Sequence, residues 1–102
     1  MVDPDVIIKT LNLLLHPEGG YYKETYRSEE IINEHALPKR YSGSRNFSTS
    51  IYYLLQGNQI SHFHQLKSDE IWHFYLGSPI IIHCLNNDGY TKRIIQSVKE
   101  VQ

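Results

Sequence analysis

The chain has 102 residues and a mass of 12.0 kDa, enough for one compact domain and too short for two. Its 10 Lys and Arg against 11 Asp and Glu give a formal charge of −1, so no basic field exists to gather nucleic acid or an acidic membrane surface. Cys84 is the single cysteine, which excludes an intrachain disulfide framework and a thiolate zinc site. The longest apolar runs (13–15, 51–55 and 79–82) fall far short of the ~20 residues of a membrane span. The N-terminus is acidic and lacks the charged-then-apolar pattern of a secretion signal, so a cytoplasmic setting is expected.

Residues 3–15 read as the one helix. Asp3 caps it, Pro4 suits the first turn, and Val6, Ile7, Leu11, Leu14 and Leu15 recur at helical spacing. Pro17 and the Gly19-Gly20 pair end it in a turn. From Tyr21 the period becomes two, which puts Tyr22, Glu24 and Tyr26 on one face and Tyr21, Lys23, Thr25 and Arg27 on the other. Residues 28–44 read as a long polar loop, and 47–55 as a strand rich in β-branched and aromatic residues. Further strands are expected at 59–64, 69–76, 80–85 and 90–97. Asn86-Asn87-Asp88-Gly89 joins the last two as a hairpin. Short strands separated by turns describe an antiparallel all-β sandwich or barrel spanning about residues 20–98 behind one helix, within a single domain 1–102.

The chemistry-bearing stretch lies between Gly57 and Gly77. On a strand, His62 and His64 share a face about 6.6 Å apart along the backbone, close enough for two imidazoles to lean onto one metal ion. Glu70 follows a short turn and reaches the same point if the two strands pair. Two His and one carboxylate with open positions suit Fe, Mn, Ni or Zn. Trp72 and Phe74 alternate with Glu70 onto one face and fit the wall of a cavity. A His-x-His followed by Glu also arises by chance, and taken alone it is a weak signal.

Gly57, His62, His64, Glu70 and Gly77 resemble the first sequence motif of the cupin superfamily. The spacing departs slightly: four residues rather than five separate Gly57 from His62, and five rather than three or four separate His64 from Glu70. The wider chain is similar to one cupin subfamily, a domain of unknown function. The resemblance runs through His16-Pro17-Glu18-Gly19-Gly20-Tyr21-Tyr22, Glu24-Thr25-Tyr26-Arg27-Ser28, Ser50-Ile51-Tyr52-Tyr53-Leu54-Leu55, Ser61-His62-Phe63-His64 and the stretch from Lys67 to Tyr75. It implies a jelly-roll (double-stranded β-helix) barrel, a homodimer, and a small-molecule pocket at the barrel mouth. It also implies a divalent metal on His62, His64 and Glu70, although members of the subfamily need not bind one. Cupins add a further His from a second motif. No Pro-x-Gly followed by His occurs after Gly77, so the barrel is expected to be incomplete at the C-terminus.

Three functional readings stay open. The first is an isomerase- or epimerase-like enzyme, or other metal-assisted chemistry on a small polar metabolite, with His62, His64 and Glu70 catalytic and Tyr22, Glu24, Trp72 and Phe74 on the substrate. The second is a non-catalytic metabolite-binding module using the same pocket. The third is a truncated structural dimer. Elsewhere the plainer roles weigh more. Glu18-Gly19-Gly20 reads as a tight turn before an anion nest, and Arg27 and Arg45 as salt-bridge partners before substrate clamps. Glu24 divides evenly between a solvated carboxylate and a buried acid/base group. His16 reads as a turn residue, His73 and His83 as packed or surface residues, and Cys84 as a small core residue.

Overall fold

The computed structural model describes residues 2–97, which form two compact units divided between Lys67 and Ser68. Among the described residues every strand pairing is antiparallel and there is one α-helix, as the sequence predicts. No helix among the described residues is long and apolar enough to cross a membrane.

In the first unit, α1 spans Pro4–Leu11. The Asp3 side chain caps it by accepting from the Asp5 N–H at 2.9 Å, and Pro4 occupies the first turn. The helix stops four residues earlier than expected. Asn12 turns left-handed at φ 54°, its N–H bonds the Lys9 carbonyl at 3.3 Å, and the Leu13 N–H bonds that of Ile8 at 2.9 Å. This is a Schellman stop with Asn in place of Gly. It buries Leu13 and frees Leu14–Leu15 to form β1. Helical spacing of the leucines suggested a longer helix, but ladder bonds to the next strand compete for them.

Strand β2 (Tyr21–Arg27) is central between β1 and β5 (Thr49–Leu54). Its register carries a correction. Glu24 pairs with Ile51 and Tyr26 with Ser50, so Thr25 is an extra residue, its hydroxyl donating to the Ser50 carbonyl at 3.2 Å. The bulge reverses the alternation beyond it. Tyr26 moves to the face of Tyr21 and Lys23, and Arg27 joins the face of Tyr22 and Glu24.

The expected loop 28–44 holds more order than its composition suggests. Strands β3 (Ile31–Ile32) and β4 (Arg45–Asn46) pair as a ribbon, with a 3-10 turn at Glu34–Ala36 between them. Buried Ser28 anchors the ribbon: its N–H bonds the Ser48 carbonyl, its hydroxyl accepts from Glu30, and its carbonyl accepts from the Asn46 side chain. The strand expected at 59–64 does not form as a ladder. Gln59 closes a turn onto Gln56, and the His62 N–H is taken by the Glu18 carbonyl at 2.7 Å.

In the second unit, residues 69–76 also lie outside any strand. The predicted alternation survives in burial all the same, with Trp72 and Phe74 half-buried and Ile71, His73 and Tyr75 exposed. Strands β6 (Ile80–Asn86) and β7 (Gly89–Ile95) form the predicted hairpin in continuous register from Ile80↔Ile95 to Asn86↔Gly89. The positive φ of the turn falls on Gly89 (116°), and the Asn86 side chain holds the Asp88 N–H at 2.9 Å. The return strand ends at Ile95, and the last expected barrel position, residue 98, lies outside the described residues.

Candidate functional site

The turn at residues 16–20 is the most heavily tied part of the first unit. The His16 N–H bonds the Gly20 carbonyl at 2.9 Å, the Gly19 N–H returns to the His16 carbonyl at 3.1 Å, and the Glu18 N–H donates to His16 Nδ1 at 2.9 Å. Gly19 and Gly20 take φ of 109° and 77°, which side chains rarely adopt. Space forbids side chains there too. A Cβ on Gly19 would lie 2.0 Å from the Ile60 carbonyl oxygen, and one on Gly20 2.7 Å from that of Leu54. The Tyr53 hydroxyl donates to the Gly19 carbonyl. The glycines therefore let the turn lie against β5 on one side and against residues 60–62 on the other. That contact sets the backbone position of His62.

His16 does more than turn the chain. Its ring meets Tyr22 and Tyr53 edge-on, at centroid distances of 4.9 and 5.2 Å. Because Nδ1 accepts from a backbone N–H, the ring proton resides on Nε2. The expectation of a simple turn residue missed this role. The readable signal was the sequence position of His16, two residues beyond Leu14, which shares a face with Tyr22 and Tyr53.

Tyr22 is half-buried on that face, and Glu24 follows on the same side. Glu24 is exposed and ion-paired. Arg27 Nε and Nη2 both donate to its Oε1, at 3.0 and 2.5 Å, and Arg27 Nη1 donates to Asn46 Oδ1 at 2.8 Å. The bulge creates this pair by bringing Arg27 onto the face of Glu24. The guanidinium hydrogen bond, aided by its charge and opposed by desolvation, holds the Glu24 carboxyl below its ordinary range. Arg27 is held correspondingly more basic by the same bond. Glu24 is thus a solvated, paired carboxylate rather than a buried one, and Arg27 is the salt-bridge partner its plainer reading described.

His62 and His64 are exposed and close together in sequence, on a segment fixed at His62 by Glu18. The Nδ1 of His64 lies 2.9 Å from the His62 carbonyl. A carbonyl only accepts, so Nδ1 carries a proton, and in the neutral ring Nε2 has the lone pair. A backbone carbonyl on Nδ1 is the arrangement that prepares a histidine to ligate a metal through Nε2.

The remaining predicted site residues belong to the second unit. Glu70 is exposed, and its Oε1 accepts from the Trp72 indole at 3.0 Å. Phe74 is half-buried and His73 exposed. His83 stacks on Tyr90 at 5.8 Å, with Nδ1 2.5 Å from the hydroxyl, and Cys84 is half-buried. Among the described residues, no group of three His, Cys, Asp or Glu side chains is placed to hold a metal ion. Of the predicted ligands, His62 and His64 belong to the first unit and Glu70 to the second. An open groove of about 500 Å³ beside α1 is lined by Asp5, Val6, Ile8, Lys9 and Tyr21, none of them a predicted site residue.

Comparison with known proteins places these features. The sequence family described as "Cupin superfamily (DUF985)" matches residues 5–100. A solved structure, described as a hypothetical protein from Leishmania major, is similar at 31% identity with a TM-score of 0.82, over 98% of this chain and 60% of its own. This chain therefore spans about 60% of that relative's length. No curated protein matches the chain.

Proposed function

The chain belongs to the cupin superfamily, in its DUF985 family, and from that premise we propose that it binds a small polar metabolite and acts on it with isomerase- or epimerase-like or other metal-assisted chemistry. In this reading His62, His64 and Glu70 hold one divalent ion of the Fe, Mn, Ni or Zn type, and Tyr22, Glu24, Trp72 and Phe74 contact the substrate. The observation that carries it is the His64 Nδ1–H bond to the His62 carbonyl, which in the neutral ring leaves Nε2 with a bare lone pair. Glu70 fits the same donor set. Its Oε1 accepts from the Trp72 indole and its Oε2 is the oxygen this reading gives to the ion.

When bound, such an ion supplies Lewis acidity toward a carbonyl or hydroxyl oxygen. The chain's own residues orient the metabolite. Half-buried Trp72 and Phe74 give it apolar surface, and Tyr22 adds a phenol. Glu24, committed to Arg27, acts as a fixed negative charge rather than as a proton donor.

That last feature also favours a second reading, a module that binds the metabolite without turning it over. The first unit's one site carboxylate is held ionised and is poorly suited to proton transfer. In both readings the protein is a cytoplasmic homodimer. Support for the dimer comes from apolar side chains left open to water, Leu15, Phe63 and Ile71 among them at 72, 72 and 81% exposure.

The test is metal content by mass spectrometry on untagged protein purified without chelator, beside a H62A/H64A variant. Near-stoichiometric metal in the wild type that vanishes in the variant is expected. Absence from both overturns the metal reading, and saturable metabolite binding without product would select the binding module.

A further inference from the structure

The ribbon between β2 and β5 carries two arginines that have no ion-pair partner among the described residues. Tyr41 is among the most buried side chains of the described residues, and its hydroxyl donates to the Lys67 carbonyl at 2.6 Å. Arg40 Nε donates to that same carbonyl at 2.8 Å, which fixes its guanidinium plane. The Arg40 guanidinium carbon lies 4.9 Å from the Tyr41 ring centroid and that of Arg45 5.2 Å from it. Both are within cation–π range of one ring, so the two charges are no farther apart than those two distances together.

Among the described residues no carboxylate pairs with either guanidinium. Glu29, Glu30 and Glu34 lie on the same ribbon, yet the ion pair found among the described residues joins Arg27 to Glu24. Among the described residues, Arg40 keeps both Nη groups uncommitted and Arg45 its whole fork. Arg45 is also held in place, because it sits on β4 opposite Ile32 and next to Asn46, which is bonded to both Ser28 and Arg27.

We propose that Arg40 and Arg45, gathered on the Tyr41 ring, form a binding site for the phosphate group of a small phosphomonoester. Two guanidiniums match a group that carries about −1.5 to −2 at neutral pH better than they match a monoanionic carboxylate or phosphodiester. The planar forks suit its oxygens bidentately. The proposal uses neither histidine and does not depend on the metal reading.

The experiment is isothermal titration of the full chain at low salt with inorganic phosphate, phenyl phosphate and dimethyl phosphate. Saturable binding of phenyl phosphate with a Kd of about 1 mM or tighter is expected, about tenfold weaker for the diester. Binding should weaken about tenfold in R40Q and in R45Q and stay unchanged in K92Q. Phosphate and phenyl phosphate binding alike assigns a phosphomonoester. Phosphate alone overturns that assignment in favour of free phosphate. No saturable heat in the wild type, equal affinity for the diester, or full binding in R40Q and R45Q each overturns the proposal. If R45Q does not fold, R45K decides: it keeps the charge and loses the fork, and undiminished binding by it refutes the site.

Discussion

Gly19→Ala tests whether the turn at 16–20 is the structural support of the histidine segment. Two costs are separable. The first is backbone: φ of 109° is outside the comfortable range of an L side chain, worth about 1–3 kcal/mol. The second is space. The new Cβ would lie 2.0 Å from the Ile60 carbonyl oxygen, a backbone atom that moves only with its segment. Retreat by an ångström or more breaks the His62 N–H bond to Glu18 and the Tyr53 bond to Gly19, at about 0.5–1.5 kcal/mol each. Together the loss is about 2–6 kcal/mol, a large share of the 5–15 kcal/mol typical of a small protein. Gly89→Ala isolates the first cost, because φ is 116° and nothing lies within 4 Å of the added carbon. Gly43→Ala isolates neither, having open space and no positive φ, and should change stability by less than about 0.5 kcal/mol. Urea denaturation of the three variants gives the comparison. The expected order is Gly19 well above Gly89, and Gly89 above Gly43. A Gly19→Ala loss no larger than that of Gly89→Ala would refute the argument that the turn is wedged against Ile60.

Other outcomes follow from single contacts. Tyr53→Phe removes the hydroxyl bonded to Gly19 and leaves a part-buried carbonyl short of a partner. A loss of about 1–2 kcal/mol is expected in urea denaturation, and no loss would mean the bond contributes nothing. For Glu24 the folded carboxyl is held below its ordinary range, so the fold binds fewer protons there than the unfolded chain. This contribution is present above the ordinary carboxylate range and is lost as pH falls through the folded value. Arg27→Gln should remove that acid-dependent component. Identical urea midpoints against pH below neutrality in wild type and R27Q would show that the pair has no stabilising role.

The elements legible in the sequence are those whose determinants are local. Asp3-Pro4 starts a helix wherever the chain goes next, and Asn-Asp-Gly folds a hairpin with no help from elsewhere. What escaped depends on distant partners. Leu14 and Leu15 carry helical spacing, yet bonds to Tyr22 and Tyr21 decide their state. Residues 69–76 keep an alternating burial pattern with no ladder, because alternation records which side chains avoid water and a ladder needs a second strand in register.

The Thr25 bulge shows how a site can turn on a feature that the pattern hides. In unbroken alternation Arg27 sits opposite Glu24, and the carboxylate stands alone on a face with Tyr22 and Tyr26. That is the setting of a candidate acid or base. One extra residue exchanges Tyr26 for Arg27 on that face and converts the carboxylate into half of an ion pair. Nothing in Glu-Thr-Tyr-Arg marks the insertion, because every residue in the run is at home in a strand. The chemistry open to Glu24 was therefore set by register and not by composition. The same dependence limits what His62-Phe-His64 says alone. In the proposed reading, its value as a ligand pair rests on a carbonyl bonded to His64 Nδ1 and a glycine turn that positions the backbone of His62, and only the glycines were visible before the fold.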